Sequence, residues 1–135
     1  MICNAPVFKA LKSFDVKEPT FPSVSTWIET FVEAECTSLE RFEVTDAILS
    51  SFEIDKKIFL KFFKAQRDNF IFIFSLAFET DWYDFTKLLE NLLGEHFECG
   101  EIDDSKQKKA VHVHFKTGMR WEYTLRNDLT SLHIP

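Results

Sequence analysis

The sequence predicts an α+β domain, an antiparallel sheet of about five to seven strands with two main helices packed mainly on one face. Three stretches carry that prediction. In the run Phe70–Phe78, seven of nine residues are Phe, Ile or Leu, so neither face of a strand there would be wet. Phe85, Leu88, Leu89 and Leu92 fall at i, i+3, i+4 and i+7, the stripe of a helix lying on a sheet. Residues 110–125 alternate apolar and polar, the period of a strand with one covered face.

Taken in order, residues 1–22 read as an N-terminal arm. Asn4 is placed to cap a short helix with Pro6 in its first turn, and Val7, Phe8, Leu11 and Phe14 form its apolar stripe. Pro19 and Pro22 interrupt regular structure after that stripe. A helix is expected from about Thr26 to Ser38, with Thr26 and Glu29 in capping-box spacing and Ile28, Phe31, Val32 and Leu39 inward. Arg41–Val44 is expected as a short edge strand and Ile48–Ile54 as a second, with a helical turn after Thr45 as its competitor. Lys57–Lys64 alternates in part and reads as a strand. Gln66–Asn69 would then turn it into Phe70–Phe78, the central strand, as one antiparallel hairpin.

Thr80 or Asp81 starts the next helix, Asp81–Leu93, and Gly94 stops it. Asp81 and Asp84 suit the positive end of its dipole. His96–Ile102 is a further strand and Asp103–Lys109 a polar loop. The last two strands form a hairpin around Lys116-Thr117-Gly118, with Gly118 in the left-handed third position. That loop pairs Phe115 with Met119, Val113 with Trp121 and Val111 with Tyr123. The opposite face then pairs His114 with Arg120 and His112 with Glu122.

The chain of 135 residues is expected to be one domain, 1–135, and no linker or repeat divides it. No apolar run is long enough to span a bilayer, and no secretory leader is visible. Cys3, Cys36 and Cys99 are scattered and odd in number, which suits free thiols in the cytoplasm. The net charge of −6 argues against direct nucleic-acid binding, which needs a basic surface. It suits a basic protein partner instead.

His96, Cys99, His112 and His114 are the metal-ligand types closest together. Imidazole nitrogen and thiolate are zinc ligands, and His112 and His114 leave one strand face. In a strand, however, His96 and Cys99 point to opposite faces, and core or solvated roles explain all four residues. Cys99 with a nearby histidine carries no nucleophile signature. With only Gly94, Gly100 and Gly118, a backbone phosphate cradle is not expected, and no cofactor is implied.

Asp81-Trp82-Tyr83-Asp84, with Asp103 and Asp104 beyond, is a more plausible contact. Aromatic anchors flanked by carboxylates meet Arg and Lys. The expectation is therefore a non-enzymatic protein-binding module. It would be a small acidic inhibitor or immunity-type protein that neutralises a basic partner such as a toxin nuclease. Two alternatives are a metal- or small-ligand-binding domain using the His and Cys residues, and a secretion-chaperone-like protein that binds an effector. The chaperone reading rests on size and element order alone, without the final helix.

Overall fold

A computed structural model describes residues 10–77, 82–102 and 108–126. Its elements are β1 (Ser13–Lys17), α1 (Val24–Glu33), β2 (Arg41–Ala47), a 3-10 turn (Leu49–Phe52), α2 (Lys56–Ala65), β3 (Ile71–Leu76), α3 (Trp82–Leu93), β4 (Phe97–Glu101), β5 (Ala110–His114) and β6 (Arg120–Leu125). The six strands make one mixed sheet in the order β1-β2-β3-β5-β6-β4. The fold is α+β, and the described residues include three α-helices, where two main ones were expected. The start of the expected short N-terminal helix lies outside the described residues, and Leu11 of its stripe is not helical. Phe14, assigned to its stripe, belongs to β1.

The expected antiparallel sheet is corrected to a mixed one. β1–β2, β2–β3 and β3–β5 are parallel, and only the two pairs made by β6 are antiparallel. One misassigned segment accounts for much of this. Lys57–Lys64 is not a strand but most of α2. Phe59, Phe62 and Phe63 fall at i, i+3 and i+4 and are fully buried. Lys57, Lys61 and Lys64 occupy the opposite, exposed side. Asp55 fixes the start, because its Oδ1 accepts from Lys57 N at 2.8 Å and Ile58 N at 3.0 Å. With a helix there, the 57–78 hairpin becomes a crossover and β2 and β3 must run parallel. The segment 48–54 is a 3-10 turn, and Arg41–Ala47 is an interior strand rather than an edge.

Three successive crossovers advance across the sheet in one direction. Right-handed connections then place all three helices on the same face, as expected. That face carries the aromatic core. Phe42 lies 4.6 Å from Phe72, 5.8 Å from Phe62 and 6.0 Å from Phe31, joining two strands and two helices. Phe52 bridges Phe74 of β3 and Phe85 of α3. Phe70, Phe72 and Phe74 are completely buried, so the apolar run is the interior strand its composition implies.

The expected start of α1 shifts, and the expected caps at Asn4 and at Thr80 or Asp81 lie outside the described residues. Ser23, not Thr26, begins α1, its Oγ accepting from Thr26 N at 3.2 Å. At the far end of α2, Lys109 Nζ reaches from the start of β5 to Lys64 O (3.1 Å) and Gln66 O (2.9 Å). Its Nζ lies over the Phe63 ring, 5.2 Å from the centroid, and burial holds its pKa below the usual lysine value. Gly94 follows α3, and a Cβ there would sit 2.6 Å from the Glu90 carbonyl oxygen.

The final hairpin has the expected register. Val111 faces Tyr123, His112 faces Glu122, Val113 faces Trp121 and His114 faces Arg120. Phe115 N donates to Met119 O at 2.8 Å, and Gly118 has φ +96°. That left-handed conformation is why glycine belongs there.

Candidate functional site

The hairpin register decides the histidine and cysteine question. His112 and His114 project from the face without helices, while Cys99, exposed on the edge strand β4, pairs with Tyr123 and shares the other face. β6 also separates β4 from β5, so the two expected ligand pairs are not on neighbouring strands. His96 precedes β4 and contacts Glu95, with Nε2 and Oε2 3.4 Å apart. Among the described residues, no three His, Cys, Asp or Glu side chains are placed to hold a metal ion. Burial pushes the Cys99 thiol up, only partly offset by its hydrogen bond with Tyr123, and the same burial raises the Tyr123 phenol. A thiol held protonated is a poor nucleophile.

The helix-free face instead carries a row of ionisable groups. Read across the sheet, Asp15, Glu43, Ile73, His112 and Glu122 are direct neighbours. Glu122 is buried and flanked on two sides. His112 Nε2 is 3.2 Å from its Oε2, and Lys108 Nζ is 3.6 Å from its Oε1. Ser75 Oγ donates to Glu43 at 3.1 Å, and Arg41 pairs with the same carboxylate. His114 sits beside Ser75 and Arg120 in the next row. Burial, then the neighbouring His112 and Arg120, push its pKa below the usual imidazole value. His114 Nε2 is buried and has no hydrogen-bond partner among the described residues.

The sheet ends differ more than its faces. β1, β2, β3, β4 and β5 all point the same way. Their C-terminal ends therefore gather the β1–α1 loop, the segment after β2, the start of α3 and the β5–β6 turn at one end of the molecule. In sheets of parallel strands this end is where ligands and partners bind, because the loops diverge there over a rigid base. Phe21, Tyr83 and Met119, the exposed large apolar side chains among the described residues, all belong to these connections. Phe21 is 98% exposed, Tyr83 75% and Met119 50%, values that no packing role explains.

The display is held in place. Glu18 Oε1 accepts from Thr20 N at 3.0 Å, and its Oε2 accepts from Ser51 Oγ at 2.6 Å. Glu18 N also donates to Thr45 O at 2.9 Å. One glutamate thus ties the loop that carries Phe21 to the turn after β2. Pro19 and Pro22 further restrict φ on either side of Phe21.

Of the expected contact residues, Trp82 opens α3, Tyr83 is exposed, and Asp84 is exposed in the first helical turn. Asp81, Asp103 and Asp104 lie outside the described residues. Sequence reasoning missed Phe21 and Met119. The signal was available for Phe21: a large aromatic between two prolines has no periodic partner to bury it.

No family model matches the chain, and neither a curated protein nor a solved structure is significantly similar to it. Among the described residues, no helix is long and apolar enough to cross a membrane.

Proposed function

We propose that this chain is a non-enzymatic cytoplasmic binding module that grips a basic protein with the loop end of its sheet. Its most specific form is an inhibitor or immunity-type protein that neutralises a basic enzyme such as a toxin nuclease. The observation that carries the reading is the clustering of Phe21, Tyr83 and Met119 at one end. Exposed aromatics on fixed loops supply contact area at small entropic cost. Asp84 beside Tyr83 and the net charge of −6 favour a cationic partner.

The test is affinity capture with the full chain and with Phe21→Ser/Tyr83→Ser. The expected partner is basic and stoichiometric, associates more slowly as salt rises, and binds the double variant at least about tenfold more weakly. Retention of the partner at full affinity by the double variant would refute this surface. Capture of an acidic partner only would refute the charge argument.

A further inference from the structure

We infer that the groove between the 3-10 turn and α3 is a receptor for one arginine side chain of the partner, a refinement that rests on the basic-partner reading above. The groove is open to solvent and has a volume of about 450 Å³. Its walls are apolar, formed by Ile54, Leu88 and Leu92 over the ring of Phe52. Glu53, Asp55, Lys56 and Asn91 also line it.

The carboxylates are available. Glu53 is exposed and has no ion pair among the described residues. Asp55 uses Oδ1 for both capping bonds to α2, which leaves Oδ2 open. Lys56, the cation at the rim, is held by Glu95 at 2.9 Å rather than by either of these groups. The groove thus combines apolar lining with two carboxylates on which no cation is seated among the described residues.

That combination selects arginine. A three-carbon stem covers apolar surface while its charged head stays at the rim. The planar guanidinium offers five donors in a fixed fork and reaches two carboxylates at once. A lysine ammonium is a compact point charge that holds its water more strongly, and a purely apolar side chain would leave the carboxylates without partners. The groove is bordered by residues 52–56 and by the second half of α3.

The experiment needs no partner. ¹⁵N-labelled full-length protein is titrated with N-acetyl-arginine methylamide, with the lysine analogue and with the neutral citrulline analogue. Arginine is expected to shift amides of residues 52–56 and 88–92, with a dissociation constant on the order of millimolar for a ligand of this size. Lysine should bind more weakly and citrulline at least about tenfold more weakly. Glu53→Gln and Asp55→Asn should each weaken arginine about two- to fivefold, and asparagine still caps α2.

Equal binding of citrulline, shifts confined to other residues, or no effect of either substitution would overturn the proposal. Partner capture by the Phe21/Tyr83 surface is scored separately. A silent groove therefore leaves that reading standing, and a failed capture with a responsive groove would sink the partner reading alone.

Discussion

Replacing Gln66 with methionine keeps the side-chain length but removes the amide that joins α2 to the segment before β2. Gln66 is buried, with 5% of its surface exposed. Its Nε2 donates to Cys36 O at 2.8 Å and to Phe62 O at 3.1 Å, and its Oε1 accepts from Leu39 N at 3.2 Å. Methionine would leave Leu39 N and Cys36 O without that partner in a dry interior. Each orphaned group costs about 1–3 kcal/mol, and the easier burial of a thioether offsets part of it. The expected net loss is about 2–4 kcal/mol, a large share of the roughly 5–15 kcal/mol that holds a domain folded. For 135 residues this lowers Tm by about 7–14 °C. Urea unfolding followed by tryptophan fluorescence, with thermal melts in parallel, measures both quantities. A Gln66→Met variant within about 0.5 kcal/mol of the parent would refute the claim that this amide is a structural tie.

Other consequences are equally open to measurement. Phe42→Ala empties the centre of the aromatic core, contacting Phe14, Phe31, Phe62 and Phe72, and should cost about 3–5 kcal/mol in the same unfolding assay. Phe21→Ser should change stability by less than about 0.5 kcal/mol, because the ring touches so little, and a larger loss would show that it packs. The His114 pKa is depressed in the fold, where it faces His112, Arg120, Glu43 and Arg41. Its stabilising contribution is therefore complete above the unfolded value near 6.5 and is lost as pH falls through the folded value. The parent should thus lose more stability than His114→Asn between neutral and mildly acidic pH, and parallel pH profiles would contradict this. The Cys99 thiol, already raised by burial, should react still more slowly with a disulfide reagent in Tyr123→Phe, which removes the hydrogen bond that lowers it. An unchanged rate would disprove the contact.

Legibility from sequence tracked how many independent local signals agreed. The β5–β6 hairpin was readable to the residue because alternation, a three-residue loop and Gly118 all required one register. α3 was readable because its leucines fit only one period. α2 was not, because Ile58, Leu60 and Phe62 satisfy a period of two while Phe59, Phe62 and Phe63 satisfy a period of 3.6. Asp55 settles the matter as a cap, but a lone Asp before an apolar run is a weak signal. That one ambiguity carried into strand direction, since pairing is a non-local property that element type controls. The site was legible only in part. Tyr83 and Asp84 were visible by composition, but their grouping with Phe21 and Met119 depends on strand direction, and so was hidden with it.

The strand order also sets an order of assembly. β4 precedes the hairpin in the chain, yet its only ladder among the described strands is with β6. As the chain emerges, β4 must wait until residues 120–125 have been made before it can join the sheet. Until then the edge of β3, the most apolar strand, has no β5 to cover it. Unpaired edges of this kind template association between chains. A chain cut after residue 109 would keep all three helices and four of the strands, yet leave Ile71–Leu76 bare along one side. The closing hairpin thus acts as the molecule's guard against aggregation, and the interval before it forms is the most hazardous in the life of the nascent chain.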